Sequence, residues 1–258
     1  MRTNFHTHYS RCRHAGGSAE DYVRAAIKAH LSQLGFSDHA PFPEFDFGMR
    51  MPFGELQDYV NDIEILIKKY KDEIIVRKGL EIEYLPKYRD YYEELLHKWG
   101  IEYLLLGEHF YKNSFGQTAN IFESPSTEQY IHYARTAAEG MKSGFFKIFA
   151  HPDIYMINSV GWDENCKKAA DIIIDAAVAA GTILEYNANG IRRGLQEYPD
   201  GIRYPYPHDA FWQMAAAAPV KVIVGSDCHG PEQVWDQSVV LAHDKLHRFG
   251  IAPVTELI

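Results

Sequence analysis

The sequence predicts an α/β fold, with about seven parallel strands closed into a barrel and helices on its outside. Three observations carry that expectation. Short apolar runs alternate with amphipathic helical patterns along the whole chain. No Gly/Ser-rich linker, low-complexity tract or shift in composition divides residues 1–258, so a single domain is expected. The length itself, 258 residues, suits one barrel better than two full domains. An open doubly wound sheet is the competing architecture. A nicotinamide-binding version of it is disfavoured, because the first run leads into His6-Thr7-His8 and not into a glycine-rich turn.

The strands are read at 3–6, 33–37, 74–82, 101–106, 147–150, 182–186 and 221–225, most of them rich in Ile, Val, Leu or aromatic side chains. Ser18 can cap the first helix with Asp21 at its third position, and Tyr22, Val23, Ala26, Ile27 and Leu31 form its apolar stripe. The next helix, over 56–70, carries Leu56, Tyr59, Val60, Ile63, Leu66, Ile67 and Tyr70 at helical spacing. Helices at 88–99 and 127–141 follow. Ala169, Ala170, Ile173, Ile174, Ala177 and Val178 mark another, stopped by Gly181, the residue type favoured just past a helix end. Patterns at 208–218 and 232–249 complete the set.

Composition is that of a globular chain, with 46% hydrophobic and 24% charged residues. A chain of this size buries roughly three quarters of its unfolded surface. It needs neither a disulfide nor a metal to hold a core, so a bound metal would serve chemistry. The net charge of −9, from 26 basic and 35 acidic residues, argues against a nucleic-acid partner and against an anionic membrane. A small anionic substrate remains compatible, because bound ions invert the local field. Cys12, Cys166 and Cys228 are too few and scattered for a disulfide framework. The opening MRTNFHTHYS is polar where a signal peptide would be apolar, and no stretch approaches the roughly 18 apolar residues of a membrane helix. A cytoplasmic location is expected.

Function in parallel α/β folds collects at the C-terminal ends of the strands. In order, those ends carry His6-Thr7-His8 with His14 beyond, Asp38-His39, Glu81 and Glu83, Glu108-His109, His151-Pro152-Asp153, Glu185 with Asn187 and Asn189, and Asp227-Cys228-His229. His6 and His8 are two apart, so on an extended strand they point to one side and can grip one ion. Asp227 and His229 repeat the spacing on the last strand, which in a closed barrel adjoins the first. A single histidine at a strand end is usually structural, but seven at the same end of one barrel form a pattern. Imidazole and carboxylate ligands of this kind suit zinc, manganese or iron. Seven histidines with Glu81 and Asp227 exceed the needs of one ion, so two or three divalent transition-metal ions are expected, with a carboxylate such as Glu81 bridging. His30, His97, His132, His208, His243 and His247 lie in or at the start of predicted helices and receive no ligand role.

Taken together in order, H-T-H, His14, S-D-H-A-P, G-L-E, G-E-H-F, A-H-P-D, N-x-N-G-I-R-R and G-S-D-C-H resemble the PHP superfamily of metallophosphoesterases, and within it the monofunctional histidinol-phosphatase branch. The likeness spans about residues 4–230. It implies a (β/α)7 distorted TIM-like barrel with a trinuclear metal site. Carried over by position, His6, His8, Glu81 and Asp227 would hold one ion. Glu81, His109 and His151 would hold a second, and His14, His39 and His229 a third. The Asp-Gly that many members carry after the first motif is replaced here by Arg13-His14-Ala15-Gly16-Gly17, in agreement with the phosphatase branch, and Glu108 is a departure.

The implied reaction is phosphomonoester hydrolysis, with L-histidinol phosphate, an intermediate of histidine biosynthesis, as the leading substrate. Another small phosphomonoester or a nucleotide is the alternative. An amidohydrolase ranks lower for want of a bridging lysine, and a non-catalytic relative is disfavoured by the complete ligand set. Glu81, Asp227 and Arg192 are expected to be catalytic, the two carboxylates as ligands. Arg192 and Arg193 can fork onto the phosphate, Arg192 being preferred, with a solvated loop as the competing reading. Glu44 and Asp46, between aromatic residues of the loop after the second strand, and Asp153 are expected to receive the cationic end of the substrate. Asp153, Glu108 and His208 are the candidates for a general acid.

Overall fold

All seven apolar runs form strands in the computed structural model, which describes every residue except Phe45, Phe47, Pro125 and Ile258. In chain order the strands are β1 (Thr3–Asn4), β2 (Gln33–Phe36), β3 (Ile75–Ile82), β4 (Tyr103–Leu106), β5 (Phe110–Lys112), β6 (Thr118–Asn120), β7 (Phe146–Phe149), β8 (Ile183–Asn187), β9 (Gln196–Tyr198), β10 (Gly201–Arg203) and β11 (Val222–Gly225). The helices are α1 (Ala19–Lys28), α2 (Leu56–Lys69), α3 (Arg89–His97), α4 (Glu128–Lys142), α5 (Glu164–Ala180), α6 (Ala188–Arg192), α7 (Asp209–Ala216) and α8 (Gln237–Arg248).

Seven strands pair in parallel in the order β1-β2-β3-β4-β7-β8-β11. The last meets the first through a bridge between Thr7 and Cys228, where the His8 N–H donates to the Cys228 carbonyl at 3.0 Å. The result is a nearly closed, distorted TIM-like barrel, drawn together at the C-terminal rim where His6 and His8 stand. Among the described residues, no helix is long and apolar enough to cross a membrane.

Local chemistry explains the boundaries. Ser18 and Asp21 form the expected reciprocal cap, with Ser18 N–H donating to Asp21 Oδ2 at 2.8 Å. Gly181 ends α5 at φ 69°, a left-handed geometry that glycine enters without cost. The helix expected over 232–249 begins later, at Gln237, because Asp236 is its cap and accepts the Ser238 and Val239 N–H groups. A separate turn, Pro231–Gln233, precedes it. The first strand is shorter than expected. Beyond Asn4, side chains supply partners, with Asn4 Oδ1 accepting the His6 N–H and Ser37 Oγ accepting the Thr7 N–H. The antiparallel hairpins β5–β6 and β9–β10 were not foreseen, since their short, largely exposed strands show no apolar alternation.

One apolar layer lies between sheet and helices, and a second fills the barrel: Phe5, Tyr103, Leu105, Ile148, Ala150, Ile183 and Ile223. Val254 and Leu257 of the C-terminal tail pack against the second, and Val254 N–H donates to the carbonyl of Val222, the first residue of β11. Inside, the Tyr103 hydroxyl lies 2.9 and 3.0 Å from the Phe5 and Phe36 carbonyls and shares its one proton between them. Gly79 makes room for its ring; a Cβ there would overlap it.

Tyr103→Phe removes the hydroxyl but keeps the ring. It is expected to lower the unfolding free energy by about 0.5–1.5 kcal/mol, through the loss of a buried hydrogen bond. Urea denaturation of the metal-free protein checks this, and an unchanged midpoint would show that the hydroxyl contributes nothing.

Candidate metal centre

The site is built from strand ends that cannot avoid one another. Thr7 faces the β11 side and bridges to Cys228, which leaves His6 and His8 pointing together over the barrel mouth. His39 forms a parallel bridge with Glu81 at the end of β3. His109 follows β4, His151 follows β7, and Asp227 and His229 follow β11. His151 and Asp227 take positive φ angles of 35° and 47°, a cost that non-glycine residues carry mostly at functional sites.

Glu81 is the centre. It is 1% exposed, and five imidazoles surround its carboxylate. His39 Nδ1, His6 Nε2 and His8 Nε2 lie 3.1, 3.2 and 3.3 Å from Oε2. His151 Nε2 and His109 Nε2 lie 3.0 and 3.7 Å from Oε1. Asp227 Oδ1 closes the other side, 3.4 Å from His8 Nε2 and 3.6 Å from His6 Nε2 and from His229 Nδ1. Two pairs of imidazole nitrogens also face each other directly: His6 and His8 at 3.0 Å, His14 and His229 at 2.8 Å.

The donor set fits divalent ions. Three groups of convergent ligand atoms, His6–His8–Glu81, His39–Glu81–His109 and His14–His39–His229, each lie within 4.8 Å of one another. Nitrogen and oxygen donors in this mixture suit zinc, manganese or iron. A fourth group, His8–Cys12–His229, would enlist a thiol. Burial and the nearby Asp38 push that thiol up to about 12, which keeps it protonated.

Electrostatics point the same way. Burial opposes charge on His6, yet Glu185, Asp227 and Glu81 outweigh it and raise His6 well above the ordinary histidine range. His8 is likewise raised to about 9 against its burial, by Asp227 and Glu81. Burial holds His39 well below its ordinary value, and burial with the nearby His8 lowers His229 to about 3. Burial alone would protonate Glu81 and Asp227, but the histidines keep both far below the usual carboxylate range. The carboxylates therefore demand cations, and without metal they take protons onto His6 and His8.

Further partners aim the ligands. Glu185 Oε1 meets His6 Nδ1 at 2.7 Å, leaving Nε2 to face Glu81 and Asp227; its Oε2 accepts the His151 N–H at 3.1 Å and Asn187 Nδ2 at 2.8 Å. In the sequence Glu185 stands at its strand end without a task of its own. Gly225 was the available signal, because a Cβ there would collide with the Glu185 carboxylate. Glu83, just past the end of β3, serves His109: its Oε1 lies 3.1 Å from Nδ1, while Arg50 forks onto both its oxygens at 2.9 and 3.0 Å. Burial would raise Glu83, but Arg50 and His109 lower it to about 2.

Above the cluster lies a cavity of about 380 Å³. Its floor is Glu81, Asp227 and histidines; its walls include Arg193, Tyr206, Asn120, Gln233, Phe110 and Phe122. A larger cleft of about 640 Å³ elsewhere holds Arg11 and Arg13. These are already paired with Asp62 and Glu55, so the smaller cavity is the candidate site.

The nine residues expected as ligands converge here, whereas most expected substrate residues do not. Arg193 lines the cavity, but Arg192 does not: it forks onto Asp236 at 2.8 and 3.3 Å, which reverses the preference between them. Asp153 is fully buried below the rim, accepting the His208 N–H and Trp212 Nε1 at 2.6 and 3.1 Å. Glu44 and Asp46 are exposed and line a separate depression with Pro41, Phe42 and Phe53. Phe45 and Phe47, the aromatic residues beside them, lie outside the described residues. Of the general-acid candidates, Glu108 is buried and accepts the Tyr84 N–H, and His208 Nε2 faces Asp200 at 3.1 Å, so neither lines the cavity.

The PHP domain model matches residues 4–189. A Deinococcus radiodurans protein named "Probable histidinol-phosphatase" is 27% identical over 235 residues, covering 89% of this chain and 86% of the relative. The Bacillus subtilis "Histidinol-phosphatase" is 22% identical over 254 residues, covering 87% of this chain and 92% of the relative. The crystal structure of histidinol phosphate phosphatase from Lactococcus lactis, complexed with zinc, L-histidinol and phosphate, is similar with a TM-score of 0.74 at 15% identity. That match covers 98% of this chain and 95% of the other.

Metal-free protein titrated with zinc is expected to take up more than one ion per chain and to release protons as it does. At pH 7.5 His8, raised to about 9, must lose its proton to become a ligand. Apparent affinity should therefore rise with pH through about 9, where His8 gives up its proton. Calorimetry in buffers of different ionisation enthalpy reads the release, and heats independent of buffer would contradict it.

Proposed function

The chain belongs to the PHP domain family, and on that premise we propose that it is a metal-dependent phosphomonoesterase that converts L-histidinol phosphate and water to L-histidinol and phosphate, a step of histidine biosynthesis. One observation carries the reading: a ring of histidines around a buried, ionised Glu81 forms the floor of a cavity whose wall offers an arginine. The names of the relatives agree with it.

In this proposal His6, His8, Glu81 and Asp227 hold one ion, Glu81, His109 and His151 a second, and His14, His39 and His229 a third. Divalent ions so held supply charge to neutralise phosphoryl oxygens and acidify water at neutral pH. Hydrolysis then joins a water oxygen to phosphorus, breaks the phosphorus–ester bond and returns a proton to the departing alkoxide. The chain's own part is to orient the phosphate. Arg193, its guanidinium 5.9 Å from the Tyr206 ring centre, is the phosphate fork. Gln233 Oε1 accepts the His229 N–H at 2.9 Å, which leaves its amide nitrogen to donate towards an anion.

The leaving group needs a different account from the one expected. Glu44, Asp46 and Asp153 do not line the cavity, so these carboxylates do not pair with the amine of a substrate bound there. Phe110, Phe122, Met49 and Ile154 form an apolar wall instead, and Phe122 already lies stacked on His109 at 6.0 Å. An imidazole ring suits that wall by stacking and apolar contact.

Phosphate release from a panel of phosphomonoesters, with and without chelator, tests the activity. Histidinol phosphate should be turned over best, and chelator should abolish turnover. Activity that survives complete metal removal would end this reading.

Arg193→Ala removes charge-assisted hydrogen bonds worth about 1.5–3 kcal/mol. A roughly ten- to hundredfold rise in KM for histidinol phosphate is expected, and an unchanged KM would exclude Arg193 from phosphate binding. Phe122→Ala should lower kcat/KM for histidinol phosphate by about 0.5–1.5 kcal/mol, some three- to tenfold, and spare glycerol phosphate, which has no ring to stack. Equal losses on both substrates would count against the stacking wall.

A further inference from the structure

Arg192 was expected at the phosphate, and its contacts describe a different task. Nε and Nη2 fork onto Asp236, the residue that caps α8. Nη1 donates to the Ser226 carbonyl at 3.1 Å and Nη2 to Ser226 Oγ at 3.2 Å. At 3.4 Å, Nη1 also reaches Asn189 Oδ1. The Ser226 carbonyl belongs to the peptide that leads into Asp227, whose backbone stands at φ 47°. A non-glycine residue is strained there, so its surroundings must hold it in place.

Asn189 carries the restraint to the carboxylate. With Oδ1 turned to Arg192, its Nδ2 donates to Asp227 Oδ2 at 3.1 Å, beside Asn187 Nδ2 at 3.2 Å. The two amides occupy Oδ2, and Oδ1 is left facing His6, His8 and His229. Reversing the Asn189 amide would set oxygen against oxygen and free the carboxylate to turn.

We infer that Arg192 is a positioning residue: anchored by Asp236, it fixes both the Ser226–Asp227 peptide and the Asn189 amide, and so aims one oxygen of Asp227 at the metal cluster. The inference rests on the reading of Asp227 as a metal ligand. It requires arginine specifically, because a lysine ammonium cannot fork onto Asp236 while reaching Ser226 and Asn189.

The test compares the unmodified protein with Arg192→Lys and Asp236→Asn. Asparagine caps a helix about as well as aspartate, so Asp236→Asn removes the ion pair and leaves α8 capped. Zinc affinity is read by competition with a chromophoric chelator, and kcat and KM are read with histidinol phosphate at limiting and at saturating zinc. Both variants are expected to bind zinc about 10–100-fold more weakly. At limiting zinc kcat should fall while KM stays within about twofold, and saturating zinc should restore kcat, which a general loss of structure would not allow. Zinc affinity unchanged in both variants would overturn the inference. So would a KM increase confined to Arg192→Lys at unchanged zinc affinity, which would mark a phosphate ligand. If the unmodified protein binds zinc but does not hydrolyse histidinol phosphate, the substrate assignment fails and the zinc comparison still decides this one. If it binds no zinc, the metal centre and this inference fall together.

Discussion

A buried carboxylate ringed by imidazoles is the constraint on which the rest of this structure depends. Placing an ionised Glu81 at 1% exposure costs several kcal/mol unless positive charge surrounds it. Five histidines from four strand ends answer that need, and each can reach only because the barrel turns its strand ends towards one axis. Drawing β1 beside β11 through Thr7 and Cys228 matters more for this centre than for the core, since it sets His6 and His8 against Asp227.

Around this centre the chain has spent rigidity in a consistent way. Three proposed ligands have an occupant for their second atom, Glu185 on His6, Glu83 on His109, and Asn187 and Asn189 on Asp227, whereas Nδ1 of His8 and of His151 is buried without one. Glu83 is in turn held by Arg50, and Asn189 by Arg192. These outer partners choose which nitrogen or oxygen faces inward, so they determine the donor set as much as the ligands do. Both arginines act on the centre through another side chain, Arg50 through Glu83 and Arg192 through Asn189.

The cavity divides by chemistry. Its floor is charged, and its wall, built by the β5–β6 hairpin and the segments beside it, joins apolar side chains to a few amides, Tyr206, Arg193 and the Glu83-paired Arg50. A substrate that is anionic at one end and an aromatic ring at the other matches that division. Acidic residues on the loop after β2 remain outside it, turned to solvent.

Much of this was legible in the linear sequence. Period-two spacing in His6-Thr7-His8 and in Asp227-Cys228-His229, together with strict strand–helix alternation, determined the barrel and the residues that converge at its mouth, because side-chain direction on a strand follows from position alone. The capping of α1 by Ser18 and Asp21 was equally local. Loops carry no such periodicity, and there only the tertiary structure decided. Adjacent Arg192 and Arg193 diverge, one to the α8 cap and one to the cavity, because a residue's direction on a turn depends on what packs against it. Glu185 and Glu83 were visible as strand-end carboxylates, yet their tasks depend on which nitrogen of a distant histidine they meet. Asp153, Glu44 and Asp46 lay near ligand motifs in sequence and nowhere near them in chemistry. Sequence determines which faces point inward; only packing determines what each side chain finds there.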